Sequence, residues 1–470
     1  MLALFNSLNG VLWGQILVYL LIGTGVYFTV RLGFIQFRHF LHTFTVMRSS
    51  RKSDNEGISS FQALSTSLAA RVGTGNLAGV AIAITVGGPG AIFWMWLIAV
   101  LGMATSFAES TLAQAYKVHD DDGNFRGGPA YYMERGLNAR WMGSLFAIFL
   151  IIAFGLVFNA VQANSITAAL HESFQFDKVM VTIGLVVVSG LVIFTGIRGI
   201  AKVAEKIVPA MALAYLLVAG FVVFANIAEL PAIFKLIIDS AFGWQEASGG
   251  AFGAMVMTGI QRGLFSNEAG MGSAANAAAT ASPYPAHPAS QGYVQMLGVF
   301  IDTIVICTAT ASIILLSGGL ESFSGMGGIE ITQRALDSQV GDWGGQFVAI
   351  ALLFFAFTSL IANYSYAETN LIFLMHKHTR GVIFLRIAVL GMIVFGALQS
   401  NQVIWALADV SMGLMAIVNL IAILLLSNEV VKLAKDYNDQ LSEGKVPTFD
   451  RTKIPELDKK IEPGIWEKKK

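Results

Sequence analysis

The sequence is poor in charged residues and almost lacks cysteine. Charged residues form 13% of its 470 residues, against about 25% in ordinary soluble domains, which argues against a water-soluble globule. The 30 basic and 30 acidic residues give no net charge, so no general basic surface indicates a nucleic-acid partner. A single cysteine, Cys307, excludes an intramolecular disulfide framework and a cysteine-rich metal site.

The chain also lacks the short motifs that mark several classes of enzyme. It contains no HExxH, no GxxxxGKS/T and no paired aspartates of the protease type. We therefore expect neither an enzyme nor a resident cofactor.

Long apolar runs dominate the chain instead. Hydrophobic residues form 55% of it, and 48 glycines allow helices to approach closely. A membrane span needs about 20 apolar residues, and eleven runs reach that length. They lie near residues 11–33, 61–86, 92–116, 143–170, 179–197, 207–228, 251–280, 292–317, 344–374, 382–399 and 403–427. The sequence thus predicts an all-α polytopic membrane protein with eleven transmembrane helices.

Basic residues favour one side of these predicted spans. The first run has no basic residue before it and is followed by Arg31, Arg38 and Arg48, the reverse of a cleaved signal peptide. Counting onward, most basic loops fall on the same side, as the positive-inside rule requires. We expect a multi-pass protein of a bacterial inner membrane, with its N-terminus outside and its C-terminus in the cytoplasm.

Two segments in the second and seventh runs share four residues at equal spacing. RVGTGNLAG begins at Arg71, and RGLFSNEAG begins at Arg262. Five spans separate their starting points, so the second copy enters the membrane from the opposite side. We predict one N-terminal helix and a five-plus-five inverted repeat, with helices 2 and 7 broken near the bilayer centre. The glycines expected to weaken these helices are Gly73, Gly75, Gly79, Gly263, Gly270 and Gly272.

The repeat divides the chain into four predicted parts. They are an N-terminal helix with a cytoplasmic linker at residues 1–60, the first repeat at 61–228, the second repeat with an outer loop at 229–427, and a cytoplasmic tail at 428–470. We expect the tail and the polar loop at 117–142 to be solvated. The outer segments 229–248 and 318–342 are expected to carry short amphipathic helices.

A broken helix offers binding groups for both ends of a zwitterion. Amides are exposed where its second half begins, and carbonyls where its first half ends. A small amino acid meets both demands at once; the alternative is that these glycines serve only close helix contacts. The residues expected to contact such a substrate at the two breaks are Thr74, Gly75, Phe265, Ser266 and Asn267.

Several longer segments resemble one known family. GGPGAIFWMWLIAVLG, from Gly87 to Gly102, looks like the signature of the alanine or glycine:cation symporter family, the bacterial sodium-coupled amino acid carriers. GGPAYYME at 127–134 and GLFSNEAGMGSAANAAATA at 263–281 are similar to that family too. The resemblance runs from about residue 10 to about residue 430. It implies a leucine-transporter-like fold with one additional N-terminal helix, working by sodium-driven alternating access.

The resemblance also suggests sodium ligands. VGTGN, from Val72 to Asn76, resembles the VGLGN of leucine-transporter-type broken helices, which implies Asn76 as a sodium ligand through its side-chain oxygen. The carbonyls of Ala69 and Val72, with the hydroxyls of Thr358 and Ser359, match the pattern of a second sodium site. Read alone, this hydroxyl pair has the alternative of bonding back to its own helix.

Charged side chains inside the predicted spans must find partners or water, since an unpaired charge there costs at least ~2.5 kcal/mol. We expect Arg71 and Arg262 to pair with Glu268, Asp302 or Glu368. Asp302 is also predicted to lie near a sodium ion or the substrate ammonium, with a structural salt bridge as the alternative.

One departure from the family pattern bears on the substrate. The ninth run reads FAFTSLIANYSYAE, whereas the family segment reads close to FAFSTIIGWYYYGE, so Asn363 stands where a Trp lines the pocket. A carboxamide in place of an indole opens volume and adds hydrogen-bonding capacity. We therefore predict a larger polar neutral substrate, with glutamine first, besides or instead of alanine and glycine.

The predicted function is sodium-coupled import of a small neutral amino acid. The predicted partners are that amino acid, Na⁺ and the lipid bilayer. A proton-coupled carrier of the same fold, with Asp302 or Glu268 titrating, is the nearest alternative. An ion channel is a more distant one, and conductance without substrate coupling would favour it.

Overall fold

The computed structural model describes residues 2–51, 57–121, 123–243, 250–318, 323, 325–375 and 379–467. Basic residues predicted for the cytoplasmic side at Lys52 and Lys377, and the lysines at 468–470, lie outside these residues.

The described chain is dominated by α-helices. In chain order these are α1 (Leu2–Arg31), α2 (Ile35–Arg38), α3 (Phe40–Ser49), α4 (Ser60–Arg71), α5 (Gly75–Gly87), α6 (Ala91–Ala115), α7 (Pro129–Leu137), α8 (Arg140–Phe174), α9 (Lys178–Ile193), α10 (Gly196–Ala225), α11 (Leu230–Phe242), α12 (Gly250–Asn267), α13 (Ser273–Ala279), α14 (Pro288–Leu316), α15 (Gly328–Val340), α16 (Trp343–Met375), α17 (Thr379–Leu398), α18 (Asn401–Leu425), α19 (Ser427–Ser442) and α20 (Pro455–Asp458). A hairpin of β1 (Val118–His119) and β2 (Phe125–Arg126) lies between α6 and α7.

The apolar helices match a polytopic membrane protein. Among the described residues, eight helices are long and apolar enough to span a membrane, or nine if the bent pair of α4 and α5 is one span. The two other predicted runs form α9, which has 16 residues, and the separated helices α12 and α13. Leu191 of α9, Phe224 of α10 and Phe384 of α17 are at least 70% exposed, as expected for side chains that face lipid.

Two helices are interrupted where the sequence predicts a break. The axes of α4 and α5 differ by 51°, and Val72 between them is extended. Between α12 and α13, the backbone φ angles of Glu268, Gly270 and Gly272 are 58°, 93° and 80°, a left-handed region that favours glycine. At both interruptions the backbone angles therefore depart from those of an α-helix.

The shared motif does not mark the same point in the two helices. Arg71 is the last residue of α4, whereas Arg262 lies inside α12, which continues to Asn267. Gly263 is likewise helical, and a Cβ there would lie 2.6 Å from the Ile98 side chain. Gly263 therefore does not lie at the break, and its lack of a side chain allows close packing of α12 against α6.

Within the described ranges, four helices contain a π-helical segment. Each widens one turn and alters the direction of the side chains that follow it, and such segments are frequent at functional sites. The segments are Leu12–Leu17, Gly75–Gly79, Ile151–Phe158 and Phe300–Cys307. The second of them begins directly after the break between α4 and α5.

The long helices pack as two groups. In the α6 group, α6 packs against α12, α13 and α14; in the α8 group, α8 packs against α16 and α17. Close approach within the second group depends on Gly396, where a Cβ would lie 2.3 Å from the Ala160 backbone. Helices α11 and α15 lie in the segments where the sequence predicts short amphipathic helices.

The C-terminal segment is folded onto one face of the bundle, which we call the C-terminal face. Leu457, Ile461 and Ile465 are buried, and Trp466 Nε1 donates to the carbonyl of Gln114 at 3.0 Å. The tail at 428–470 is predicted to be solvated, and this is wrong for its buried residues, among them Val430, Leu433 and Leu457. Its apolar residues recur four positions apart, and Lys460 Nζ donates to the Gly136 carbonyl of α7 at 2.8 Å.

Candidate functional site

The break between α4 and α5 is held by side-chain amides. The backbone N–H and the hydroxyl of Thr74 donate to Gln162 Oε1 of α8, at 3.1 and 2.7 Å. The N–H of Gly73 donates to Asn76 Oδ1 at 2.9 Å. These residues are all buried. Side-chain oxygens thus accept hydrogen bonds from the amides of Gly73 and Thr74 within the break.

This arrangement frees carbonyls at the end of α4. In a continuous helix the amides of Gly73 and Thr74 would bond to the carbonyls of Ala69 and Ala70. Instead, the Ala69 carbonyl accepts the hydroxyl of Ser359 from α16 at 2.7 Å. The Ala69 carbonyl oxygen and the Ser359 hydroxyl oxygen therefore lie side by side, and oxygens of this type suit an alkali cation.

The break between α12 and α13 frees carbonyls in the same way. The amide of Ala269 donates to Asn267 Oδ1 at 3.0 Å, and that of Met271 to the Glu268 carbonyl at 3.1 Å. The carbonyls of Phe265 and Asn267 therefore lose the helical donors that would follow them. Both residues are buried, so an electropositive group there would meet free carbonyl oxygens.

A polar cluster joins the two broken helices to α14. Asn76 Nδ2 donates to Asp302 Oδ1 at 2.7 Å and to Ser266 Oγ at 3.0 Å. Ser266 Oγ and Thr303 Oγ1 both donate to Asp302 Oδ2, at 2.7 and 2.8 Å. Cys307 lies beside them, with its sulfur 3.1 Å from Ser266 Oγ. Asp302 is fully buried and held by neutral donors.

An aromatic layer covers the first break. The ring centroid of Phe265 lies 4.6 Å from that of Phe158 and 4.7 Å from that of Trp405. A Cβ at Gly75 would lie 3.0 Å from the Phe265 ring, so the start of α5 and this ring are in close contact. The layer provides an apolar wall beside the polar groups of the breaks.

An ion pair lies beyond the aromatic layer, away from the C-terminal face. Arg262 Nη2 lies 2.5 Å from both carboxylate oxygens of Asp409, and the guanidinium lies 4.7 Å from the Trp405 ring centroid. Arg262, Asp409 and Trp405 line a cavity of about 430 Å³. The predicted pairing of Arg262 with Glu268, Asp302 or Glu368 is wrong, because α18 brings Asp409 closer.

The contacts of Arg71 and Glu268 also differ from the prediction. Arg71 Nη1 approaches the Gln295 carbonyl and Nη2 approaches Ser106 Oγ, both at 3.4 Å. Glu268 accepts the hydroxyl of Ser273 at 2.6 Å. The predicted ion pairs of Arg71 are replaced by hydrogen bonds to neutral groups.

Asn363 lies in a separate pair of amides. Its Nδ2 donates to Asn159 Oδ1 of α8 at 3.1 Å, and its own Oδ1 is buried with no hydrogen-bond partner among the described residues. Asn363 lies one helical turn after Ser359, and Asn159 lies three residues before Gln162. The pair therefore continues the α8–α16 contact from the first break toward the C-terminal face.

The predicted site residues fall into distinct places. The structure brings together Ala69 with Ser359, and Asn76 with Ser266 and Asp302. Thr358 bonds back to the Phe355 carbonyl of its own helix at 2.8 Å, as the alternative interpretation expects. Val72 and Thr74 lie in the break itself, Gly75 begins α5, and Phe265 and Asn267 end α12.

Sequence reasoning missed several residues of this region. Gln162 and Asn159 both come from α8, and Phe158 and Trp405 form the aromatic layer. Asn159 and Gln162 stand three residues apart inside a long apolar run, so they share one helix face. Buried carboxamides in a predicted span were the available signal.

Known proteins resemble the whole chain. A family model described as the sodium:alanine symporter family matches residues 1–451. The probable sodium/glutamine symporter GlnT of Bacillus subtilis is 52% identical over 442 residues, covering 94% of this chain and 91% of that protein. The amino-acid carrier protein AlsT of Bacillus subtilis is 50% identical, covering 96% of each. The sodium/alanine symporter AgcS of Methanococcus maripaludis is 42% identical, covering 93% and 97%.

Proposed function

The chain belongs to the sodium:alanine symporter family, and we propose that it is a sodium-coupled symporter that imports glutamine and smaller neutral amino acids by alternating access. The observation that carries this proposal is the meeting of two broken helices around buried, neutral oxygen ligands. Such breaks supply the opposite partial charges that a zwitterion and a small cation require.

We propose two sodium positions. The first lies at Asp302, whose carboxylate accepts from Asn76 Nδ2 and Ser266 Oγ, and Asn76 would add its side-chain oxygen, which accepts the Gly73 amide in this structure. The second lies at the Ala69 carbonyl and Ser359, with Val72 and Thr358 as further oxygen donors. Hard oxygen ligands suit an alkali cation, and mostly neutral ones allow its release.

The substrate is placed between the two breaks. Its carboxylate would replace Gln162 as the acceptor of the Thr74 donors and would lie beside Gly75. The carbonyls of Phe265 and Asn267 would face its ammonium. The Phe265 ring and Trp405 enclose the aliphatic part. No chemical step on the substrate is needed.

Asn363 supports glutamine as a substrate. Its unpartnered oxygen can accept an N–H from a second carboxamide, and Asn159 holds its nitrogen in place. A relative of 52% identity is named a probable sodium/glutamine symporter, which agrees with this choice. An indole at this position would fill the volume that the longer side chain requires.

We further propose eleven spans arranged as one helix followed by two inverted repeats, as in the leucine-transporter fold. In this arrangement α9 is the fifth span and α12 with α13 is the broken seventh. The C-terminal face carries most of the basic loops, so we place it in the cytoplasm. With eleven spans the N-terminus then lies outside, and we propose a bacterial inner membrane as the location.

Alternating access would move the two helix groups relative to each other. Arg262 and Asp409 join α12 to α18 above the aromatic layer, so they act as the outer lid in this proposal. One elementary charge entering through 100 mV releases about 2.3 kcal/mol, enough for a concentration ratio of about 50. In this proposal the free energy released by sodium entry drives uptake of the amino acid.

Proton coupling is the second candidate. Glu109 Oε2 accepts the Gly272 amide at 3.1 Å and Asn419 Nδ2 at 2.9 Å, while Oε1 is buried without a partner among the described residues. A carboxyl group at the second break could take up a proton during the cycle. Uptake at fixed pH with and without sodium separates the two coupling ions.

The proposed function is tested by uptake into proteoliposomes. Labelled glutamine, alanine and glycine are offered with an inward sodium gradient, or with sodium replaced by choline. We expect sodium-dependent accumulation, with glutamine transported at least as well as alanine. Uptake that ignores sodium but follows an imposed proton gradient would favour the proton-coupled carrier.

A further inference from the structure

A chain of buried charges links the hairpin to α16 at the C-terminal face. Arg126 of β2 lies 2.8 Å from Asp120 and 3.3 Å from Glu368 of α16. Glu368 also accepts the hydroxyl of Tyr364 and lies 3.8 Å from Arg386 of α17. The hairpin follows α6 directly, yet its arginine reaches into the α8 group.

The base of the hairpin is fastened to the α6 group. Lys117 Nζ donates to the carbonyl of Ala281, which follows α13, at 2.8 Å. The same ammonium lies 3.8 Å from the Phe125 ring centroid and 4.7 Å from that of Trp466. Through Trp466, the C-terminal segment also holds the end of α6. The start of β1 is therefore anchored to the α6 group.

Arg126, which pairs with Val118 at the same base of the hairpin, contacts the α8 group in a buried setting. The side chains of Arg126 and Glu368 are 7% and 10% exposed, and Arg126 Nη1 also donates to Thr369 at 3.3 Å. Burial disfavours the guanidinium charge, yet Glu368 and Asp120 hold the pKa of Arg126 above its usual value. Removing one member of this chain of charges leaves its neighbour buried with one opposite charge fewer, which weakens the contact between the groups.

A second polar contact crosses between the groups under the hairpin. Asn370 of α16 donates to Asn276 of α13 at 2.9 Å. A Cβ at Gly128 would lie 2.5 Å from that same Asn276 oxygen, so the chain after β2 covers this contact closely. Beside it, a cleft of about 820 Å³ is lined by Arg126 and Tyr131 and by Phe373 of α16. The hairpin thus bridges a line along which the two groups can part.

We propose that the hairpin is a latch that holds the two helix groups together at the C-terminal face, and that Arg126 is its positioning residue. The Arg126–Glu368 pair must separate before the bound amino acid can leave on this side. The proposal rests on alternating access as proposed above. It adds a gating contact that lies far along the chain from both broken helices.

The latch is tested by the accessibility of Thr280, which follows α13 and is 4% exposed. Thr280→Cys is a nearly isosteric reporter, and the full-length protein in proteoliposomes is labelled with N-ethylmaleimide in the presence of sodium. The chain without the reporter corrects for labelling of buried Cys307. Arg126→Met and Glu368→Gln are expected to raise the labelling rate at least about tenfold, since tenfold corresponds to only about 1.4 kcal/mol.

Three comparisons keep this test specific. Arg126→Lys retains the charge and is expected to label near the parent rate. Arg334→Met removes a surface pair with Glu172 at the opposite face and is also expected to match the parent. The double variant of Arg126→Met and Glu368→Gln should label no faster than the faster single variant, since both changes break one contact.

Equal labelling rates in the parent, Arg126→Met and Glu368→Gln would overturn the latch. If Arg126→Met does not fold, Glu368→Gln alone decides, because it keeps the size of the side chain. Uptake by the parent is measured in the same vesicles. Faster labelling of the variants without any amino acid uptake by the parent would leave the latch standing and refute the proposed function.

Discussion

Asn76 of the first broken helix donates to Asp302 of α14 at 2.7 Å, although 226 residues separate them in the chain. Asp302 lies in a π-helical segment, and Asn76 lies in the π-helical start of α5. The widened turns bring a carboxylate to an amide whose oxygen already accepts from Gly73. This contact ties the shape of the first break to a single buried negative charge.

Asp302→Asn should weaken sodium coupling. The substitution keeps the size and one acceptor oxygen but removes the charge that a sodium ion would balance. We expect the half-saturating sodium concentration for uptake to rise at least about tenfold, or about 1.4 kcal/mol. Ser312→Ala is the control, because the Ser312 hydroxyl donates to the Thr308 carbonyl of the same helix at 2.8 Å and has no part in the polar cluster described above. An unchanged sodium dependence in Asp302→Asn would refute this sodium position.

Gly73→Ala should abolish transport, whereas Gly79→Ala should be tolerated. A Cβ at Gly73 would lie 2.6 Å from Ser359 Oγ and 2.9 Å from Gln162 Oε1. At Gly79 the nearest atom lies 3.8 Å away, on Trp405. Crowding of this kind costs about 1–3 kcal/mol and displaces the ligands at the break. Initial uptake rates of both variants, normalised to protein in the vesicles, provide the measurement.

Equal uptake by the two glycine variants would contradict the close packing at the first break. Size-exclusion profiles of the two purified variants show whether a loss of uptake follows from misfolding.

Asn363 should control the preference for glutamine. Asn363→Leu removes the free acceptor at similar volume, and Asn363→Trp also fills the space. Where a site hydrogen-bonds a polar group of its substrate, loss of that hydrogen bond lowers the preference for the substrate by at least about tenfold. We expect both variants to lose glutamine uptake by that factor while alanine uptake changes less. Competition of unlabelled glutamine against labelled alanine measures the preference for glutamine. Undiminished glutamine transport by Asn363→Trp would show that Asn363 does not contact this substrate.

Packing of the C-terminal segment should weaken in acid. His287 Nδ1 accepts the Ala289 amide at 3.1 Å, and Nε2 lies 3.2 Å from Asp436 of α19. The ring is therefore neutral with its proton on Nε2, and burial lowers its pKa although Asp436 opposes this. A folded pKa below the unfolded value of about 6.5 means that stability is full above that pH and is lost below it.

Thermal unfolding in detergent at about pH 7.5 and about pH 5.5 tests this sign. We expect a lower melting temperature in acid and a smaller decrease in His287→Asn, whose carboxamide oxygen can still accept the Ala289 amide and which cannot titrate. The same decrease in both proteins would assign the acid sensitivity to other groups.

The breaks were predictable because their causes are local. Gly73, Gly270 and Gly272 appear in the sequence where the backbone later departs from a helix. The family was predictable for the same reason, since its motifs are continuous segments. The exact position of the second break was not, because packing against α6 keeps Gly263 helical although its motif resembles that of the first break.

Contacts between distant helices explain what the sequence could not reveal. Arg262 pairs with Asp409 across 147 residues, and no spacing rule selects that carboxylate over Glu268 or Asp302. Gln162 reaches Thr74 only because α8 crosses the first break. The folded C-terminal segment had a visible signal in Leu457, Ile461 and its neighbours, but a charged composition obscured it.

Sodium entry stimulated by the amino acid tests the central claim most directly. Labelled sodium uptake is followed in proteoliposomes with and without external glutamine, for the parent and Asp302→Asn at the same pH. We predict that glutamine accelerates sodium entry in the parent and that this acceleration is lost in Asp302→Asn. Glutamine accumulation without any stimulated sodium entry in the parent would contradict sodium coupling at the two breaks.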